Sequence, residues 1–100
     1  LNILETIKQC GIINIAKFYQ ASTSELYGNT DSKTQDELTK FKPQSPYACA
    51  KLYSYWITKI YRDSYNIYAC NGILFNHEST RRPSNYIIKK LYINYREQCT

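Results

Sequence analysis

The sequence predicts an α/β fold in which two parallel strands alternate with three helices. Short apolar stretches alternate with longer segments of helical periodicity along the 100 residues, in the order helix, strand, helix, strand, helix. Strands separated by a helix pair in parallel, with the helix crossing one face of the sheet. Both apolar stretches end in polar clusters, at 22–25 and 76–79. Such clusters are typical of ligand sites at the carboxyl ends of parallel strands.

The first helix is predicted over 1–10, where apolar residues recur at helical spacing and Gly11 follows as a C-terminal stop. The first strand is predicted over 15–21, because this stretch is short, apolar and aromatic before the chain becomes polar. A polar segment without periodicity follows at 29–40. It is predicted to be a surface loop.

The central helix is predicted over 46–63. Ser45 is a favourable N-cap and Pro46 suits the first helical position, so the start of this helix is well defined. We expect its core face to consist of three apolar residues, Leu52, Trp56 and Ile60.

The second strand is predicted over 67–75. Asn71-Gly72 lies inside it and indicates a bulge or a close approach of another part of the backbone. The last helix is predicted over 85–95.

The composition predicts one small folded unit. Hydrophobic residues make up 43% and charged residues 21%, with both charge signs mixed along the chain, which is typical of a globular protein. No apolar run reaches membrane-spanning length and no charged-then-apolar leader opens the chain. We therefore expect a cytoplasmic protein without a membrane partner.

The cysteines, the histidine and the net charge restrict the possible ligands. The four cysteines include no Cys-x-x-Cys pair and there is one histidine, so we expect no metal site and predict free, buried thiols. The net charge of +5 is weak support for an anionic ligand, but the basic residues are scattered and no nucleic-acid partner is expected. The cysteines are Cys10, Cys49, Cys70 and Cys99.

The chain carries three glycines, which are too few and too far apart for a glycine-rich phosphate loop. It also begins at Leu1, within an amphipathic helical pattern. We therefore expect these residues to be a piece of a longer protein.

Tyr47 and Lys51 are the strongest candidates for chemistry. They are four residues apart on the central helix, so both side chains share one face. A free tyrosine is a poor base at neutral pH, but a neighbouring ammonium favours the phenolate, so the pair suits proton transfer. Because the chain has 11 tyrosines, the pair alone is weak evidence and favours a helix with a buried aromatic ring and a solvated lysine. Because both polar clusters follow strand ends, we expect them and the start of the Tyr47 helix to converge on one crevice. That convergence favours the chemical interpretation.

Three segments together resemble a known family. They read Ala-Ser-Thr-Ser-Glu-Leu-Tyr-Gly at 21–28, Ser-Pro-Tyr-x-x-x-Lys-Leu-Tyr at 45–53 and Asn-Gly-Ile-Leu-Phe-Asn-His-Glu-Ser at 71–79. Their sequence and spacing are similar to those of the GDP-mannose 4,6-dehydratases, which are extended short-chain dehydrogenases/reductases. The resemblance implies a partial Rossmann-type doubly wound parallel sheet. Residues 1–100 would be the central part of the NAD(P)-binding domain, with the glycine-rich half and most of the substrate domain outside them.

The resemblance implies four catalytic residues: Thr23, Glu25, Tyr47 and Lys51. Tyr47 would take the proton of the sugar 4-hydroxyl while hydride leaves C4 for NADP, with Lys51 favouring the phenolate and Thr23 hydrogen-bonding the reacting oxygen. The resulting 4-ketone acidifies the C5 proton, and Glu25 would act as acid/base in the loss of water from C5 and C6. Hydride would then return to C6, giving GDP-4-keto-6-deoxymannose and NADP again.

The resemblance also implies the binding residues. The cofactor-binding set is Tyr47, Lys51, His77 and Arg82, with NADP as the cofactor. The substrate-binding set is Ser24, Asn76 and Glu78, with GDP-mannose as the substrate. Relatives in the family form dimers or tetramers, so a homo-oligomer is expected. The 100 residues alone are expected neither to bind NADP tightly nor to turn over.

Two alternatives stay open at this point. The first is another nucleotide-sugar epimerase, reductase or dehydratase of the same superfamily; an epimerase or reductase would not need Glu25 as a C5 acid/base. The second is a non-catalytic remnant whose basic, tyrosine-rich surface is a binding module, for which RNA binding would be sensitive to salt.

Overall fold

The structure, a computed structural model, describes Leu1–Gln98 and has the predicted order of elements. The helices and strands are α1 (Asn2–Gln9), β1 (Lys17–Thr23), α2 (Pro46–Tyr65), β2 (Tyr68–Leu74) and α3 (Ile87–Gln98). A 3₁₀ turn, Ser24–Leu26, follows β1 directly. The observed ends differ from the predicted ones by at most three residues, and the segment at 29–40 forms neither helix nor strand, as predicted.

β1 and β2 form a parallel two-stranded sheet whose register runs from Lys17↔Tyr68 to Thr23↔Leu74. The ladder continues through Asn71 and Gly72, so the predicted bulge is wrong. The alternative prediction, a close approach of backbone, is wrong too, because the atoms nearest to a Cβ at Gly72 belong to a side chain. The Tyr19 ring occupies the space that a Cβ on Gly72 would need. A larger residue at position 72 would have to displace the exposed Tyr19 ring, and the strand itself stays regular.

The two ends of α2 follow from local chemistry. The Ser45 hydroxyl accepts a hydrogen bond from the backbone N–H of Ala48 at 3.0 Å, which caps the helix start, and Pro46 occupies the first turn. The helix ends at Asn66, whose φ of 54° is left-handed. Asparagine tolerates that conformation, and the chain enters β2 two residues later.

The hydrophobic core lies between one face of the sheet and the helices α1 and α2. Its buried members come from both helices and from β2 and the residue before it: Leu4, Ile7, Tyr61, Ile67 and Ala69. Ile13, Ala16, Phe18 and Ile57 pack against them. On the opposite face of the sheet, Tyr19 and Tyr68 are exposed.

The predicted core face of α2 is wrong. Trp56 and Ile60 are 47% and 51% exposed, and Leu52 is half-buried, whereas the buried residues of α2 are Ala48, Thr58 and Tyr61. The reason is that α2 carries apolar and aromatic side chains around most of its circumference. Hydrophobicity alone does not indicate which stripe of such a helix meets the sheet.

α3 has no buried residue. The described chain is accordingly elongated, with a radius of gyration of 18.2 Å, against about 13 Å for a compact domain of this length. Within residues 1–98, no helix combines the length and the apolar character that crossing a membrane requires.

The described cysteines are free, as predicted, but the predicted burial is wrong. Cys10, Cys49 and Cys70 are all exposed. Cys70 follows the buried Ala69 in β2, so its side chain points to the opposite, open face of the sheet. Cys99 lies outside the described residues.

Candidate active site

The end of β1 carries the first group of candidate residues. Thr23 is the last residue of the strand, and its Oγ1 accepts a hydrogen bond from the N–H of Glu25 at 3.2 Å, which caps the 3₁₀ turn. The same hydroxyl still has a proton to donate to a ligand oxygen. Ser24 and Glu25 line a shallow recess together with Ser45, so the strand end and the start of α2 meet there.

Tyr47 and Lys51 lie on one face of α2, as predicted. The Lys51 Nζ is 5.8 Å from the centroid of the Tyr47 ring and donates a hydrogen bond to the carbonyl of Ala21 at 3.0 Å. Ala21 lies in β1 two residues before Thr23. The ammonium therefore joins the stripe of α2 that bears Tyr47 to the end of β1. Tyr47 is 53% exposed, which leaves its phenol accessible to a ligand.

The residues after β2 form a second group. Asn76, His77 and Glu78 are exposed, and the Nδ1 of His77 lies 3.3 Å from the carbonyl of Phe75. Because β1 and β2 are parallel and Thr23 pairs with Leu74, this segment leaves the same edge of the sheet as the first group.

Arg82 contacts two side chains that follow β2, Glu78 and Tyr86. Its Nε is 3.6 Å from Glu78 Oε2, and its guanidinium carbon lies 3.7 Å from the centroid of the Tyr86 ring. The Nε is enclosed by protein atoms and has no hydrogen-bond partner. The carboxylate and the ring face are therefore what stabilise this charge.

The two groups are not joined to each other. Within residues 1–98, no hydrogen bond or ion pair connects the residues at 76–82 with Thr23, Glu25, Tyr47 or Lys51. Glu78 instead lines a recess with Ile88 and Tyr92 of α3. The predicted convergence of both polar clusters on one crevice is thus present for the first cluster and the start of α2 only.

Sequence reasoning missed one contact near the site. Asn71 bonds to Ser22 in β1 and to the backbone of Tyr55 in α2. The signal was available, since a polar residue in the middle of an apolar strand needs hydrogen-bond partners. The pair Asn71-Gly72 instead favours a bulge or a close approach of backbone when the sequence is considered alone.

Comparison with known proteins gives the family. The family model described as GDP-mannose 4,6 dehydratase matches residues 1–97. The chain is 57% identical over 91 residues to a GDP-mannose 4,6 dehydratase of Drosophila melanogaster, and 58% identical over 91 residues to a GDP-mannose 4,6-dehydratase of Vibrio cholerae. Both matches cover 91% of this chain but only 23% and 24% of the relatives. The chain thus spans about a quarter of their length.

A crystal structure agrees with the fold. That structure is of a dTDP-glucose 4,6-dehydratase from Bacillus anthracis in complex with NAD, and it aligns with a TM-score of 0.81 and 26% identity. The alignment covers 96% of this chain and 30% of that chain. The predicted α/β fold, a part of a Rossmann-type sheet, is confirmed. Since the family model matches nearly every residue, the chain belongs to the GDP-mannose 4,6 dehydratase family.

Proposed function

We propose that this chain carries the proton-transfer residues of a GDP-mannose 4,6-dehydratase, which acts on GDP-mannose with NADP as cofactor and forms GDP-4-keto-6-deoxymannose. The observation that carries the proposal is the bond between Lys51 and the carbonyl of Ala21, which holds the Tyr47 stripe of α2 at the end of β1. The resemblance of the three sequence segments and the family match support the choice of reaction.

Tyr47 accepts the proton of the sugar 4-hydroxyl in this proposal. The Lys51 ammonium, whose Nζ lies 5.8 Å from the ring centroid of Tyr47, stabilises the negative charge that develops during the proton transfer. Thr23 donates its hydroxyl proton to the reacting oxygen, because the bond that it accepts from the N–H of Glu25 leaves that proton free. These three residues come from β1 and α2, the two elements that the Lys51 bond joins.

Glu25 removes the proton from C5 once a ketone at C4 has made that proton acidic. It then gives that proton to the hydroxyl group on C6, which leaves as water. An exposed carboxylate at the edge of a recess is suited to this role, because the group must exchange protons with the sugar.

Ser24, Asn76 and Glu78 are proposed to bind the substrate. The Asn76 carboxamide would donate to an oxygen of the diphosphate.

The described residues fit a nicotinamide cofactor. The Lys51 ammonium has three N–H groups and uses one on Ala21, which leaves two for ribose hydroxyls. Such a cofactor, when bound, supplies a reversible two-electron acceptor. His77 and Arg82 are proposed as further cofactor contacts, together with Tyr47. NADP is proposed over NAD, with a cytoplasmic location and a homo-oligomeric assembly.

We further propose that residues 1–100 are the central part of the nucleotide-binding domain, so that the isolated chain binds NADP weakly and does not turn over. The affinity of the isolated chain for NADP is measured by titrating the chain with NADP and following the fluorescence of Trp56. Tight binding or production of a 4-keto sugar by the isolated chain would contradict it.

The activity is tested in a chimera in which this chain replaces the matching segment of the Drosophila relative. The chimera is incubated with GDP-mannose and NADP in D₂O, and the product is identified by mass spectrometry and NMR. We expect a 4-keto-6-deoxy sugar with deuterium at C5. Tyr47→Phe is expected to lower kcat by about 100-fold or more, whereas Tyr53→Phe, an exposed tyrosine of the same helix, serves as the matched control.

Glu25→Gln separates the dehydratase from the alternatives. It is expected to abolish both water loss and deuterium incorporation at C5. A product that differs from GDP-mannose only in the configuration of a hydroxyl group would identify an epimerase. An inactive chimera that binds RNA in a salt-sensitive manner would favour a binding module.

A further inference from the structure

Asn71 lies in the middle of β2 on the face of the sheet that packs against α2. Asparagine is disfavoured inside strands, because its short polar side chain competes for backbone hydrogen bonds. β2 nevertheless continues through Asn71 without a bulge, paired with Gln20 of β1. The residue is partly buried, so its polar atoms need partners within the protein.

The carboxamide of Asn71 bonds to two neighbouring elements. Its Nδ2 donates to the backbone carbonyl of Tyr55 in α2 at 3.2 Å, and its Oδ1 accepts from the hydroxyl of Ser22 in β1 at 3.4 Å. A helical carbonyl retains a second lone pair after its regular bond to the amide four residues later, so it accepts the carboxamide without loss to the helix. Ser22 is 3% exposed, so water does not compete for its hydroxyl. One side chain thus joins β1, β2 and α2.

Both ends of this contact lie next to the proposed proton-transfer residues. Ser22 directly precedes Thr23 in β1, and Tyr55 is one helical turn after Lys51. Tyr47 is one turn before Lys51, so these three residues of α2 form a single stripe. A rotation or a slide of α2 that moves Tyr47 therefore also stretches the bond between Asn71 and Tyr55.

Apolar packing does not fix the rotation of α2 by itself. Hydrophobic contacts are non-directional, and α2 has a second apolar stripe, with Trp56 and Ile60, that a rotation would bring towards the sheet. Hydrogen bonds are directional. In the part of the chain that the structure describes, two hydrogen bonds join α2 to the sheet, one from Lys51 to Ala21 and one from Asn71 to Tyr55. Of the two, the Asn71 bond is made by a residue outside the proposed catalytic set.

We propose that Asn71 is a positioning residue, which fixes the rotation of α2 against the end of β1 and so places the Tyr47 phenol relative to the Thr23 hydroxyl. The inference rests on the proposed function of these two residues. Asn71 acts through the backbone of α2 and not on the substrate. Its loss therefore lowers the rate of the chemical step and leaves substrate binding in place.

The test uses Asn71→Leu, which removes both hydrogen bonds while keeping a side chain of similar shape. The matched control is Asn94→Leu, the same exchange at an exposed position of α3. In the active chimera, with enzyme concentration taken from titrated NADP sites, Asn71→Leu is expected to lower kcat about 10- to 100-fold. We expect KM for GDP-mannose to change less than about twofold. Asn94→Leu is expected to change neither constant.

The inference would be overturned if Asn71→Leu left kcat unchanged, or if KM for GDP-mannose rose by as large a factor as kcat fell. Either result would leave the proposed function intact. A second readout does not depend on activity. In the 100-residue chain, the NMR signals of the Lys51 Nζ and of the Thr23 methyl group are expected to shift in Asn71→Leu and to stay in place in Asn94→Leu. Unshifted signals overturn the inference even where the parent chimera is inactive, and that inactivity counts against the proposed function alone.

Discussion

Two regions of the molecule contain similar apolar patterns but place them differently. In residues 1–74, the helices α1 and α2 cover one face of the sheet and bury a contiguous cluster that includes Leu4 and Ile67. In residues 75–98, the apolar residues of α3 stay on the surface, and Leu91 is 59% exposed. The comparison teaches that helical periodicity predicts that a helix forms but does not predict the surface that the helix packs against. Which stripe of a helix is buried depends on the element that lies next to it.

The largest expected difference between the regions is in core truncations. Ile67→Ala removes a side chain that is 1% exposed and leaves a cavity, so we expect it to lower the free energy of unfolding by about 2–5 kcal/mol. Leu91→Ala in α3 is expected to change it by less than about 0.5 kcal/mol. Urea unfolding of the 100-residue chain, followed by circular dichroism, measures both values. Equal losses would mean that α3 is packed as firmly as the sheet, and the comparison would then be wrong.

A second difference concerns two glycines with positive φ. Gly28 has a φ of +51°, and a Cβ there would overlap the backbone carbonyl of Lys42, whose N–H is bonded to Leu26 at 3.0 Å. Gly11 has a φ of +68° with open space around its Cβ position. We expect Gly28→Ala to lower the free energy of unfolding by about 2 kcal/mol and Gly11→Ala by about 1 kcal/mol. The same urea titration measures both, and a smaller loss at Gly28 would show that the loop is not held against the body.

A third difference concerns two serine hydroxyls of α2, one that caps the start of the helix and one that lies inside it. Ser45→Ala removes the acceptor for the Ala48 N–H, and we expect a loss of about 1 kcal/mol. Ser54→Ala removes only the hydrogen bond from the Ser54 hydroxyl to the backbone carbonyl of Ala50. That carbonyl still accepts its regular helical hydrogen bond. We expect the control to be neutral or slightly stabilising. If both variants lose the same amount, the start of α2 is held by packing and not by its cap.

The order of elements and the shared face of Tyr47 and Lys51 on α2 could be predicted from sequence because they depend on local chemistry. The Ser45-Pro46 start, the four-residue spacing of Tyr47 and Lys51, and the polar end of β1 are each fixed within one or two turns of chain. The buried stripe of α2 could not be predicted, because its apolar residues surround most of the helix. Asn71, a polar residue in an apolar strand, predicts a need for hydrogen-bond partners. No local pattern indicates that one partner is Tyr55, 16 residues away.

The smallest expected difference is the pH dependence of the contact between α1 and α2. Hydrogen bonds from Lys8 and from the Tyr61 hydroxyl, the latter at 2.6 Å, hold the pKa of Glu5 below its ordinary value. A carboxyl whose pKa is lowered by folding contributes stability above its unfolded pKa and loses it as the pH falls through the folded pKa. Parent and Glu5→Gln chains should therefore differ most near pH 7, and the difference should shrink below about pH 4.

The control for that titration is Glu37→Gln, which removes an exposed carboxylate from the loop between β1 and α2. Its urea midpoint is expected to follow that of the parent chain from pH 7 to pH 3. Asp31 and Asp36 also have lowered pKa values, because Lys42 bonds to the first and the backbone N–H of Leu38 bonds to the second. Both carboxyls are present in the parent and in the variants, so their contributions cancel when the stability of the parent is subtracted from that of each variant. A Glu5→Gln difference that stays constant with pH would mean that the carboxylate charge does not hold α1 against α2. The packing of Leu4 and Ile7 would then account for that contact alone.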